Sequence, residues 1–272
     1  MSSVALGHDE VGAPAELRQD RMAEAIEEVG FARVADLAQR FGVSAVTVRS
    51  DLDTLESEGR LRRVRGGAVP MGALRNEPTL EQAVYENQAQ KAAIARYAAA
   101  MVRPGQCIIL DVGSTTTAIA RQLVARRELQ DVTVVTNGLS LALELEPAAD
   151  RLSVLVTGGM VRPRQHSLVS PFAALVLDQV SAHIAFIGCN GVDVHGGVTN
   201  LNFAEAEVKR AMIQSAREVV VVADASKLGL VEAARICGIS DIDTVVTDGS
   251  AAEDVTAQLQ QVGVAVHRAS PP

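Results

Sequence analysis

Two sets of residues in this chain have the types and spacing to do chemistry. The first is Ser44, Thr47, Arg49 and Ser50, followed closely by Arg60, Arg62, Arg63, Arg65 and Gly66. A guanidinium presents donors in a flat fork, so Arg49 suits a bidentate contact with the O6 and N7 atoms of guanine. Clustered arginines suit phosphate oxygens. The second set is five short polar turns: Asp111-Val112-Gly113-Ser114-Thr115-Thr116-Thr117, Thr136-Asn137-Gly138, Thr157-Gly158-Gly159, Gly188-Cys189-Asn190-Gly191-Val192-Asp193 and Ala223-Asp224-Ala225-Ser226-Lys227. Free amides and hydroxyls from Gly113 to Thr117, just ahead of a helix, are built to cradle a phosphate. Lys227 adds a positive charge, and Asp111, Asp193 and Asp224 can accept from sugar hydroxyls.

Each set requires particular elements beneath it. Val34, Leu37, Ala38 and Phe41 recur as one apolar face of a short helix, Gly42 stops it, and Ser44 can cap the next helix. Val48, Leu52 and Leu55 form the buried stripe of that second helix and leave Thr47, Arg49, Ser50 and Asp53 on the opposite face. Leu61 and Val64 alternate with the arginines as in a two-stranded wing. The pattern is a winged helix-turn-helix, whose second helix enters the major groove. Short amphipathic helix pairs also occur in proteins that never meet DNA; the order and combination here favour the DNA reader. The polar turns each follow a short apolar run: 107–110, 132–135, 152–156, 183–187 and 219–222, with a sixth run at 244–246. Amphipathic stretches lie between several of them, near 115–126, 139–146, 171–180, 203–217 and 251–262. Continuous apolar runs separated by helices predict a mostly parallel, helix-covered α/β sheet, with ligands at the carboxyl ends of its strands. Any one such turn is explained by turn chemistry alone; five in one sheet point to a shared anion or sugar pocket.

This reading divides the chain into a flexible tail (1–15), a winged helix-turn-helix (16–70), a linker and connecting helix (71–103) and an α/β effector domain (104–272). The linker is read at Ala68–Pro78, and one helix is expected from about Leu80 to Met101. The net charge is −8, yet residues 33–75 hold eight arginines against five acids, a local +3, while the remainder has 17 basic and 28 acidic residues, or −11. An acidic body with one basic module restricts polyanion contact to that module. Aromatics make up only 3% of the chain and there is no Trp, which argues against stacking-based recognition of RNA or single strands. Cys107, Cys189 and Cys237 stand far apart without a CxxC pair, as suits a reducing cytosol. The histidines show no ligand spacing, so no metal or cofactor is expected. With no 18-residue apolar run and no signal-peptide pattern, a cytoplasmic location is expected.

The residues Val43-Ser44, Thr47-Val48-Arg49-Ser50-Asp51-Leu52, Leu55, Gly59 and Arg65-Gly66-Gly67-Ala68 resemble the N-terminal signature of the DeoR family of bacterial transcription regulators. The likeness runs from about Arg21 to about Thr247. Ser50 departs from it, since the family most often has a second arginine there. The resemblance implies a C-terminal domain similar in fold to ribose-5-phosphate isomerase and CoA-transferase domains, a phosphorylated sugar or related metabolite as effector, double-stranded operator DNA as partner, and a homo-oligomeric repressor. It also implies that Asp111, Gly113, Ser114, Thr115, Thr116, Thr136, Asn137, Gly158, Gly159, Asp193, Glu205, Lys209, Asp224 and Lys227 line the effector pocket. Glu205 and Lys209, four apart, read equally well as a surface ion pair. The alternative function is a sugar-phosphate isomerase with an added DNA module. The isomerase loop Asp-Gly-Ala-Asp-Glu is matched here by Asn190-Gly191-Val192-Asp193-Val194, which lacks two of the three acids needed for proton transfer, so no catalytic residue is expected.

Overall fold

The computed structural model describes residues 15–29, 32–64, 67–70 and 77–270. Arg65 and Gly66, and the expected tail at 1–14, lie outside the described residues. The chain divides into two units, Met1–Glu77 and Pro78–Pro272.

In the first unit, α1 (Ala15–Val29), α2 (Val34–Phe41) and α3 (Ala45–Ser57) stand with a small antiparallel sheet of β1 (Ala32–Arg33), β2 (Leu61–Val64) and β3 (Gly67–Pro70), in the order β1-β3-β2. Met22, Ile26, Leu37, Phe41, Val48, Leu52, Leu55 and Leu61 form its core. Gly42 ends α2 with φ +62°, a left-handed cap that a side chain would strain. Of the linker expected at Ala68–Pro78, residues 71–76 lie outside the described residues, and its first three, Ala68 to Pro70, are strand. Gly67–Pro70 is the central strand of the wing sheet, paired with both β1 and β2, and Pro70 lies at its end.

The second unit is built on a seven-stranded sheet of β4 (Cys107–Leu110), β5 (Val132–Thr136), β6 (Leu152–Val156), β9 (Ala182–Gly188), β12 (Ala216–Val222), β14 (Thr244–Asp248) and β15 (Ala265–Ala269). Two small sheets stand beside it. One is the hairpin β7 (Met160–Arg162) and β8 (Ser167–Val169); the other comprises β10 (Gly191–Asp193), β11 (Gly197–Asn200) and β13 (Ala234–Cys237). The large sheet runs β15-β14-β12-β9-β4-β5-β6 with every neighbour parallel. Connections therefore proceed one way from β4 and the other way from β9, which makes the β4–β9 boundary the topological switch point. Alternate residues of each strand face opposite layers. Ile108, Leu110, Val134 and Phe186 pack with α5 (Gln88–Met101), α6 (Ser114–Ala125) and α7 (Leu139–Leu145). Ile109, Val135, Ala185 and Val221 pack with α8 (Phe172–Leu177), α9 (Phe203–Gln214) and α10 (Glu253–Gln261). Burial on both faces is why these strands read as unbroken apolar runs.

The single helix expected over 80–101 is two. α4 (Leu80–Tyr85) is closed at its start by a Thr79–Gln82 capping box, and α5 begins after Asn87, whose backbone is left-handed at φ 49°. Asparagine accepts that conformation better than most residues. Lys91 then buries its ammonium on the Ala83 and Glu86 carbonyls at 2.6 and 2.7 Å, joining the two helices at the break. No described helix is long and apolar enough to cross a membrane.

Candidate nucleic-acid interface and candidate ligand site

Ser44 caps α3, accepting from the Thr47 amide at 3.1 Å, and its hydroxyl meets the Thr47 hydroxyl at 2.9 Å. Both residues therefore order the start of the helix. The exposed Arg49 and Ser50 follow on its first turns. Beneath them Asp51 is buried and accepts from Arg18 at 2.7 and 3.1 Å and from Gln19 at 2.8 Å. This anchor between α1 and α3 is not visible in the local periodicity, because a charged residue beside the buried Leu52 reads as a solvent-facing position and its partners lie more than thirty residues away. The wing arginines are not alike. Arg60 pairs with Asp20 at 2.7 Å and with Glu58 at 3.7 Å. Arg63 pairs with Asp53 of α3. Arg62 is exposed and forms no ion pair among the described residues. The negative groups thus hold two wing arginines in place, while Arg49 and Arg62 are exposed without an ion pair among the described residues.

At the switch point of the sheet the charges are buried. Asp111 follows β4 and is fully inaccessible. Its Oδ2 accepts from the Gly188 amide at 3.0 Å and from Lys209; its Oδ1 has no hydrogen-bond partner. Lys209 also donates to the Gly188 carbonyl at 3.0 Å. Burial pushes the Asp111 carboxyl up to about 6, an effect the adjacent Lys209 offsets only in part. Burial works to lower Lys209 as well, but Asp111 and Glu205 beside it leave it above its ordinary value. Glu205 accepts from Arg162 at 2.7 Å, from Ser167 at 2.6 Å and from Asn200 at 3.4 Å. Glu205 and Lys209 are only 4% and 2% exposed, so they are not a surface pair; each belongs to a buried network and its nearest ionic partner is elsewhere. Arg162 joins that network, and the sequence carried no sign of it, because the hairpin it lies on is short and lacks strand-like patterning.

The turn after Asp111 opens onto the start of α6. Gly113 gives that helix no side-chain cap, and the first backbone bond of the helix runs from the Thr117 amide to the Gly113 carbonyl at 2.9 Å. The amides of Ser114, Thr115 and Thr116 precede that bond. The hydroxyls expected there divide: Thr116 and Thr117 donate to the Gly113 carbonyl at 2.9 and 2.7 Å, while Ser114 and Thr115 do not. Thr136 and Asn137 are buried braces. The Thr136 hydroxyl accepts from Gly138 at 3.0 Å, and Asn137 accepts from the Val112 amide at 2.9 Å and donates to the Leu168 carbonyl at 3.3 Å. Gly158 and Gly159 both have positive φ, and a Cβ on Gly159 would lie 2.2 Å from the Val169 carbonyl oxygen, so this glycine serves close packing of the β7–β8 hairpin. Asp193 accepts from the His195 and Gly196 amides at 2.8 and 2.6 Å, shaping the β10–β11 turn. Asp224 caps the short turn at Ala225–Lys227 and accepts from Asn87 at 3.3 Å. Lys227, half-buried, is close enough to Cys189 and Lys91 to act on both electrostatically. The residues brought together are thus Asp111, Gly188, Lys209 and Glu205, with the α6 start following Asp111 directly and Lys227 beside Cys189.

Residues 86–249 match the family model described as the DeoR C terminal sensor domain, and residues 18–71 match that of the DeoR-like helix-turn-helix domain. The chain belongs to the DeoR family. It is 35% identical over 255 residues to the HTH-type transcriptional regulator GlpR of Haloferax volcanii, covering 93% of this chain and 97% of that one. It is 33% identical over 233 residues to the transcriptional repressor AccR of Agrobacterium fabrum, covering 85% and 88%. Among solved structures, ribose 5-phosphate isomerase A of Methanocaldococcus jannaschii is similar at a TM-score of 0.39 and 22% identity, over 52% of this chain and 55% of that one. Membership of the DeoR family places the chain among transcription regulators with an operator-binding helix-turn-helix, not among isomerases.

Proposed function

We propose that this DeoR-family regulator represses genes of carbohydrate metabolism and that a phosphorylated sugar bound at the β4–β9 switch point alters its hold on operator DNA. The observation that carries this reading is the Asp111 carboxylate, fully buried with one oxygen unpartnered, immediately before the uncapped start of α6. A buried acceptor without a donor is costly unless something fills the role, and a sugar hydroxyl does so once binding parts the turn that covers it. The amides of Ser114, Thr115 and Thr116 take the phosphate, aided by the positive end of the helix dipole. Lys227 adds charge from the neighbouring loop. Thr136, Asn137 and Gly159 keep the turns in shape, and Asp193 shapes its own hairpin turn. Repression follows by analogy with relatives such as AccR, which is named a repressor.

On the DNA side, Arg49 reads base edges, with Ser44, Thr47 and Ser50 beside it on α3. Arg60, Arg62, Arg63, Arg65 and Gly66 follow the phosphates. A thermal-shift screen of phosphorylated sugars tests the ligand reading. A binder specific to the folded chain stabilises it by about 2.7 kcal/mol at a hundredfold excess over Kd. Thr115→Val keeps the side-chain shape and removes a hydroxyl; together with Lys227→Ala it should blunt that shift. An undiminished shift in both variants would exclude this placement of the phosphate.

A further inference from the structure

The β7–β8 hairpin belongs to neither large layer. Met160 and Val161, neighbours on one strand and therefore on opposite faces, are 65% and 57% exposed, so β7 is covered on neither side. It is nonetheless firmly held where it turns. Arg162 and Ser167, the strand pair that closes onto the turn, both donate to the buried Glu205, at 2.7 and 2.6 Å. The Leu168 amide donates to the Asn137 carbonyl at 2.7 Å, and Asn137 in turn accepts from Val112, next to Asp111. At the tip, the Pro163–His166 turn grips the first residues of the sensor unit. The Leu80 amide donates to the Arg164 carbonyl at 3.0 Å, Gln165 donates to the Pro78 carbonyl at 2.7 Å, and His166 lies 3.2 Å from the Glu81 carboxylate. Pro78 is where the chain enters from the DNA-binding unit.

A turn held through its flanking pair Arg162 and Ser167 to the buried charge network, and through Arg164, Gln165 and His166 to the incoming chain, is placed to carry a signal between them. We infer that the hairpin is the relay of this regulator, with Arg162 as a positioning residue: its bond to Glu205 registers the state of the switch-point network, and the 163–166 turn passes that state to residues 78–81. The inference rests on the ligand reading of the switch-point site. A ligand that draws on Lys209 or displaces Asp111 changes the field on Glu205 and hence the hold of Arg162. The relay needs two discrete arrangements of the hairpin that the ligand binds unequally.

The full-length chain tests this without knowledge of the natural ligand. Amide exchange is followed in wild type, Arg162→Gln, Arg162→Lys and Gln165→Ala. Binding to a duplex selected by the wild-type chain from a random pool is measured alongside, with and without inorganic phosphate and ribose 5-phosphate. In Arg162→Gln, exchange at Leu80 and in 160–169 should rise about tenfold while β4 and β5 stay protected. Duplex affinity should change in parallel, and Arg162→Lys should recover part of both. Gln165→Ala, on the half-buried turn, should shift duplex affinity and leave binding of the two anions as in wild type, which keeps the test open if Arg162→Gln does not fold. Faster exchange confined to 160–169, with Leu80 and duplex affinity unchanged in both Arg162→Gln and Gln165→Ala, would overturn the relay. Linked exchange and affinity changes without binding of either anion would support the relay and count against the sugar-phosphate reading instead.

Discussion

Arg49 and Arg62 in the helix-turn-helix unit stand in solvent, whereas Lys209 in the sensor unit is 2% exposed between Asp111 and a backbone carbonyl. The first pair is exposed, with no ion pair among the described residues, and contributes little to folding. The second has its counter-charge inside the chain, and its removal leaves an unpaired ion in a dry interior. A cation's place in the fold, more than its type, decides whether it serves binding or stability. Wing residues Arg60 and Arg63 fall between these cases: they are partly exposed, and the acids beside them hold them in position.

Removing the ammonium from the interior should give the largest effect and is the sharpest test of the contrast. Lys209→Met is expected to destabilise the sensor unit by roughly 3–5 kcal/mol, because Asp111 loses its partner while remaining buried. Urea unfolding of the full chain measures it, and a loss within that of Arg62→Ala, about 0.5 kcal/mol or less, would erase the distinction drawn here.

The next effect is in pH. Asp111 has its folded pKa raised to about 6 by burial. For an acid, a raised folded pKa means the native chain binds more protons than the unfolded one between the two values. Its contribution is therefore most favourable below the unfolded pKa and is lost as pH rises through about 6, by up to about 3 kcal/mol. The stability difference between wild type and Asp111→Asn should slope through that window and flatten above it. A flat difference from pH 4 to 7 would show that Lys209 neutralises the burial cost entirely.

On the DNA side, Arg49→Ala should weaken operator binding by roughly 1–3 kcal/mol and relax sequence preference. Equal losses on operator and scrambled duplex would reassign Arg49 to the backbone. The smallest effect is expected at Arg62→Ala, which should lower affinity on every sequence and reduce the slope of log K against log salt by about 0.9. If Arg60→Ala, which first frees Asp20 and Glu58, changes that slope as much as Arg62→Ala, the acids do not compete with phosphate.

The helix-turn-helix was legible in the sequence because its signals are local. Val34, Leu37 and Phe41 repeat at helical spacing, Gly42 closes one helix and Ser44 opens the next. The six apolar runs from 107 to 246 likewise correspond to strands; five are buried on both faces, which leaves no polar alternation to obscure them, and the edge run 152–156 is apolar although Ser153 and Leu155 are exposed. The edge strand β15 was not legible: Ala265, Val266, His267, Arg268 and Ala269 mix polar and apolar positions because one side of the strand meets solvent. The hairpin 160–169 was not legible because its strands are three residues long and β7 is exposed on both faces, so no alternation marks it.

Residue types and their spacing alone determined the family, the two units, the apolar frame of the sheet and the list of polar turns. Only the tertiary structure decided how those turns divide. It paired Lys209 with Asp111 across 98 residues and Arg162 with Glu205 across 43, while assigning Thr136 and Asp193 to shaping their own turns and Asn137 to bracing the turn after Asp111 against the β7–β8 hairpin. Periodicity reports which face of an element is dry. Which buried charge meets which depends on strand order and on crossovers spanning dozens of residues, and no local pattern encodes that.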